Sequence, residues 1–146
     1  SRYNSLIRLR KWELDNERRI LSDLERERDT IAASAARIDA DMQSASAQAA
    51  TDNFSALTLG RYMQAARLQR QKLLDQVARH NTRIRQQQDK ILTGFQDLKT
   101  IEVASENADR LEAERFNKKE QAALEETALQ AHVRTKMPKI GEDAGS

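Results

Sequence analysis

Apolar residues recur every seven positions along most of this chain, with charged and amide side chains filling the intervals. Over residues 3–49 one line runs through Ile7, Leu14, Leu21, Arg28, Ala35, Met42 and Ala49. Its companion runs through Tyr3, Arg10, Glu17, Leu24, Ile31, Ile38 and Ala45. Two such lines on one helix face make a coiled-coil strip. A second strip passes through Leu59, Met63, Ala66, Arg70, Leu73, Val77, His80, Ile84, Gln87, Ile91, Gly94, Leu98, Ile101, Ser105 and Ala108. The pattern predicts an all-α protein made of two long amphipathic helices, one over about 3–50 and the other over about 58–136.

The break between them falls at about 51–57, where Ala, Ser and Gln give way to the turn and cap formers Thr51, Asp52 and Asn53. Ser55 or Thr58 is placed to cap the second helix. Gly60 is a weak spot near its start, at a cost of about 1 kcal/mol against alanine, and does not end it. A chain folded back about residue 54 sets residue i against a residue near 108 minus i, and the two strips mate well in that register. Ala35 meets Leu73, Met42 meets Ala66, Ala45 meets Met63 and Ala49 meets Leu59, a small residue against a larger one each time. Leu24 meets Ile84, Ile31 meets Val77 and Ile7 meets Ile101. Leu14 meets Gly94, with Phe95 beside it to fill the gap. This mating predicts a long antiparallel coiled-coil hairpin within one chain in preference to a parallel dimer.

At 1.5 Å per residue the arms would be roughly 70 Å and 115 Å long, so the second overhangs the first. Beyond about Ala108 the pattern thins to Leu111, Phe116, Leu124, Ala128 and Leu129 amid dense charge, and Pro138, Gly141 and Gly145 predict a flexible tail over 137–146.

Composition agrees with a thin core. Charged residues make up 33% of the chain and aromatics 4%, too few large apolar side chains for a broad globular interior. Sustained periodicity separates it from disordered sequences of similar polarity. There is no cysteine, which removes disulfides and thiolate metal sites. No apolar run of bilayer length and no apolar signal core occur, which predicts a cytoplasmic protein. The net charge of +2 is unevenly distributed: residues 57–99 hold nine Lys and Arg against three Asp and Glu, and residues 100–146 hold seven against ten. The middle of the chain is therefore electropositive and the later part acidic.

Candidate chemistry is sparse. His80 on a helical hairpin is the residue type that accepts phosphate in signalling proteins, but it is followed by Asn81, Thr82 and Arg83 and reads as a polar seam layer facing Arg28, next to the pair Leu21 and Gln87. His132 stands far from His80 and has no metal-ligand spacing around it. Carboxylates such as Glu13, Asp15, Glu125 and Glu126 lie on solvated helix faces without a pocket. No phosphate-binding glycine loop or nucleophile elbow occurs, so neither an enzyme, a cofactor nor a metal is expected. Arg61, Arg67, Arg70, Lys72, Arg79, Arg83 and Arg85 offer charges to phosphates, yet they wrap round the helix and lack stacking aromatics, so no nucleic acid is expected. Leu9 and Trp12, set among Arg8, Arg10 and Lys11, are either an exposed hot spot for a protein partner or, with a slightly rotated seam, part of the core.

The layout resembles the FliJ family of flagellar export proteins. The likeness rests on Leu6-Ile7-Arg8-Leu9-Arg10-Lys11 followed by Glu13, Glu17, Arg18, Ile20, Leu21 and Leu24. It rests also on Lys99 to Glu102, Arg110, Glu114 and Lys118-Lys119-Glu120-Gln121 leading to Glu125, Glu126 and Ala128. It extends over essentially the whole chain. Members often carry aromatic residues near the end of the first helix, where this chain has Ile38, Asp41, Met42 and Ala45.

The resemblance implies a nonenzymatic stalk of flagellar type III protein export, similar to the central stalk of rotary ATPases and located in the cytoplasm at the base of the flagellum. It implies three partners: the flagellar export ATPase ring, the cytoplasmic domain of the export gate, and export chaperones. Membrane association would come through those partners alone. Arg8, Arg10, Lys11, Trp12 and Glu17, with Asn117, Lys118, Glu120 and Gln121, are expected to form the ATPase-facing end. Ile38, Met42, Tyr62, Met63 and Ala66 are expected to face the gate near the turn. The rival reading is a general coiled-coil scaffold or nucleic-acid-associated protein.

Overall fold

The computed structural model describes residues 2–51 and 56–136 and contains two helices packed against each other: α1, Asn4–Thr51, and α2, Ala56–Lys136. Both follow from sequences rich in Ala, Leu, Arg, Glu and Gln, which lose little side-chain freedom in a helix, with proline absent from either span. Arg134 and Lys136 in the last turn of α2 complement the negative end of its dipole. Thr58 lies inside α2, so it is no cap. Asp52, Asn53, Ser55 and the tail from 137 lie outside the described residues.

The packing divides into two compact units, Leu6–Lys99 and Ser1–Ser5 with Thr100–Ser146. In the first, α1 and α2 run antiparallel, and contacts along it fix the register. Leu14 lies against Gly94, Glu17 against Lys90, Glu27 against His80, Arg28 against Asn81 and Asp39 against Arg70. In each pair the two residue numbers add to within one of 108, the expected mating.

Burial follows the heptad lines. Of the expected seam positions in this unit only Arg10 is exposed; the others are buried or half-buried. Its buried apolar centres are Leu14, Ala35, Ile84 and Leu98, none fully enclosed, as expected where two helices supply the whole core. In the second unit, Ser105 is buried and Tyr3, Ile101, Ala104 and Ala108 are half-buried. From Asp109 to Lys136 every residue of α2 is exposed.

Two details of the seam differ from expectation. Phe95 does not fill the space over Gly94; its ring is 44% exposed and lies 4.7 Å beneath the Arg18 guanidinium, as a cation–π pair. Leu14 fills that space itself. The polar layer is also arranged differently, because His80 pairs with Glu27 while Arg28 donates to Asn81 Oδ1 at 3.4 Å. The long Arg28 and Glu27 side chains reach past the nearest seam position to satisfy polar atoms that a leucine there would leave unpaired.

Candidate interaction surfaces

The seven-residue repeat that builds the seam also decides what the first turns of α1 present to solvent. Positions Leu6, Leu9, Trp12 and Ile20 fall outside the repeat, on the flank of α1, and the structure leaves all four exposed, Trp12 by 63% and Leu9 by 48%. The rotated seam that would bury Leu9 and Trp12 is therefore excluded. Arg8 and Lys11 are exposed beside them. Arg10 reaches Glu13 Oε2 at 3.1 Å, an exposed pair three residues apart that is worth little in water. Four large apolar side chains within four turns, rimmed by cations, form the apolar patch of α1.

Glu17 belongs elsewhere. Its carboxylate accepts a hydrogen bond from Gln87 Nε2 and lies 3.2 Å from Lys90 Nζ, while Gln87 also donates to the Glu17 backbone carbonyl at 2.9 Å. The bond from Gln87, and then the hydrogen bond and charge of Lys90, hold the Glu17 carboxyl below its ordinary range against the opposing effect of partial burial. Glu17 thus ties the two helices together instead of facing a partner. Beside it a notch of about 300 Å³ is lined by Arg10, Glu13, Leu14, Glu17, Lys90, Thr93, Gly94 and Asp97. Despite these carboxylates, no group of three or more His, Asp or Glu able to hold a metal occurs among the described residues.

The other expected site residues divide by burial. Asn117, Lys118, Glu120 and Gln121 are exposed on α2, in the unit that includes Thr100–Ser146, whereas Arg8 to Glu17 belong to Leu6–Lys99. Near the turn Ile38, Met42, Met63 and Ala66 are half-buried seam residues, and of the expected gate set only Tyr62 is exposed, at 40%. The heptad lines already assigned those four to packing.

His80 has both ring nitrogens engaged. Nδ1 lies 3.0 Å from the Gln76 carbonyl oxygen and Nε2 lies 3.1 Å from Glu27 Oε2. Gln76 lies on the same helix and Glu27 on α1, so in this geometry His80 links the two helices across the seam. Further along, Arg70 Nε approaches Asp39 Oδ1 to 2.7 Å, but its N–H does not point along that line and is left without a hydrogen-bond partner. The pair is a charge contact between half-exposed groups.

Sequence reasoning missed the order hidden among the α2 cations. As a set of seven they do surround the helix, but Arg70 is drawn to Asp39 and Arg67 and Arg85 turn to one flank, which leaves Arg61, Lys72, Arg79 and Arg83 in line on the other. Summing residues at helical spacing, instead of counting charges per segment, would have exposed it. Among the described residues no helix is long and apolar enough to cross a membrane. No family model, curated protein or solved structure matches the chain.

Proposed function

We propose that this chain is a nonenzymatic, central-stalk-like component of flagellar type III protein export, working in the cytoplasm at the base of the flagellum. In this reading it binds the export ATPase ring and couples the ring to the cytoplasmic domain of the export gate and to export chaperones. The observation that carries the reading is an antiparallel two-helix hairpin in which α1 exposes Leu9 and Trp12 among Arg8, Arg10 and Lys11. An exposed tryptophan ringed by arginines is the side-chain chemistry of an interface hot spot, and the cations steer it toward an acidic surface.

The unequal helices support the same reading, since α2 has 81 residues against 48 in α1 and its last turns carry Asn117, Lys118, Glu120 and Gln121 on the surface. A stretch of helix that leaves Leu111, Phe116, Leu124 and Leu129 exposed, with none of its side chains buried among the described residues, is suited to enclosure by a partner. The gate-facing surface is Tyr62 with the accessible edges of Ile38, Met42 and Met63, because the remainder of those side chains is engaged in the seam.

Purified chain added to a flagellar export ATPase tests the reading. Stimulated ATP hydrolysis and ring assembly are expected; absence of both would remove the export assignment. A variant carrying Arg8→Glu, Arg10→Glu and Lys11→Glu separates the steering component, and undiminished ATPase binding by it would refute that component.

A further inference from the structure

Arg61, Lys72, Arg79, Arg83 and Lys90 are separated by eleven, seven, four and seven residues. Those intervals are close to three, two, one and two helical turns, so the five cations share one flank of α2 over roughly 44 Å. Among the described residues Arg61, Lys72, Arg79 and Arg83 make no ion pair, whereas the nearby Arg70 and Lys90 are each matched to a carboxylate. Asp75 sits to one side of the line and accepts a hydrogen bond from Gln71. Arg79 and Arg83, four residues apart, repel each other at a cost of a few tenths of a kcal/mol, and no contact within the fold offsets it. On the same line, between Arg61 and Lys72, lie Ala65 and the 61%-exposed Leu68. With Arg61, Gln64 and Arg67 they shape a shallow depression of about 550 Å³.

We propose that this flank of α2 docks an acidic amphipathic helix of another protein, its carboxylates matching the arginine and lysine line and an apolar side chain resting on Leu68. Charge complementarity selects a polyanion, and breadth selects which one. On the side of α1 that meets this flank, Glu17 reaches Lys90 and Glu27 reaches His80, so carboxylates border the line. A nucleic-acid duplex is broad enough that phosphates following the line would also lie over those carboxylates. A single helix, about 10–12 Å across, fits on the outer flank alone. Single-stranded nucleic acid would find no aromatic ring on the line to stack on. One exposed leucine buries too little to hold the flank on a lipid surface. This docking line does not depend on the export reading and lies on a different helix from the Trp12 patch.

The test uses the whole chain and a dye-labelled synthetic helical peptide of about four heptads, with leucine on one stripe and glutamate on the flanks. Saturable binding is expected by fluorescence anisotropy, weakening at least about tenfold between low and physiological salt. The pair Arg79→Glu and Arg83→Glu should lower affinity about tenfold or more, and Leu68→Ala about threefold. The pair Arg85→Glu and Lys99→Glu, two exposed cations of α2 away from the line, makes the same change in net charge and should alter it less than about twofold. Circular dichroism melting establishes that each variant is folded before binding is compared. No binding to the wild-type chain, or equal losses from the two charge-reversed pairs, overturns the proposal. So does tighter, Arg79- and Arg83-dependent binding of a short DNA duplex or of anionic vesicles. Self-association of the chain that Arg79→Glu and Arg83→Glu abolishes would assign the flank to a second copy, and would equally overturn it.

Discussion

Leu14 packs directly on the backbone of Gly94, with its Cδ1 3.2 Å from where a β-carbon on Gly94 would stand. A leucine knob therefore occupies a hole made by the absence of a side chain, and it leaves Leu14 only 5% exposed. The two glycines of α2 then predict opposite outcomes. Gly60 has nothing within 4 Å of its potential β-carbon, so Gly60→Ala should stabilise by about 0.4–1 kcal/mol through helix propensity alone. Gly94→Ala should lose most of that gain to the tight contact, and Gly94→Val should destabilise by about 1–3 kcal/mol. Leu14→Ala should cost about 2–4 kcal/mol. Urea titration followed by circular dichroism ranks the four; a stabilising Gly94→Val would contradict the packing.

Glu17 predicts an acid-labile seam. Its folded carboxyl is held below the ordinary glutamate range, first by Gln87 and then by Lys90, so its contribution to stability is present above the ordinary, unfolded value. It is lost as pH falls through that range and on through the depressed folded value. Wild-type melting temperature should therefore drop more steeply than that of Glu17→Gln on acidification from neutral pH. Parallel pH profiles for the two proteins would show that Glu17 is not linked to folding.

His80 and Glu27 predict a stability that the chain forgoes. The ring is 17% exposed and its partner carboxylate 61% exposed, so replacing the histidine leaves no buried charge alone. His80→Leu should stabilise by about 1 kcal/mol by adding apolar area to the seam, while weakening the preference for one register. A fall of more than 1 kcal/mol in chemical denaturation would mean that the link to Glu27 and Gln76 outweighs burial.

The exposed stretch of α2 from Asp109 to Lys136 predicts weak protection. Among the described residues nothing covers an apolar face of it, and isolated helices depend on packing for most of their stability. Amide hydrogen exchange should be orders of magnitude faster there than around Ile84 and Leu98. Addition of a partner that encloses the stretch should slow it. Equal protection along α2 in the free protein would contradict this assignment.

Heptad spacing made the hairpin legible because burial in a two-helix seam is set by one periodicity, and Ala35, Ile84 and Leu98 follow it without exception. The register was legible at Leu14 and Gly94 because a missing side chain must face a large one. Details carried by long polar side chains were not. Arg28 turns to Asn81 and Glu27 to His80, each one residue from the expected facing pair, and Gln87 reaches Glu17, one layer from Leu21, since flexible stems let the head group seek charge instead of following its β-carbon. The exposed patch at Leu9 and Trp12 was ambiguous in sequence because a small rotation of the seam would have covered it, and only packing fixes that angle. The arginine line of α2 was visible in the spacing but masked by Arg67, Arg70 and Arg85, whose different surroundings the sequence alone does not distinguish.

Double electron–electron resonance between spin labels at Ser22→Cys and Gln86→Cys, two exposed positions in a chain with no native cysteine, addresses the folded-back register. Helix axes about 8–10 Å apart place these labels within roughly 30 Å of each other once their linkers are included. That distance should persist when labelled chain is diluted into excess unlabelled chain. A separation near 95 Å, the length of the 64 residue steps between them as one straight helix, would contradict the hairpin. Loss of the short distance on dilution would contradict its being formed within one molecule.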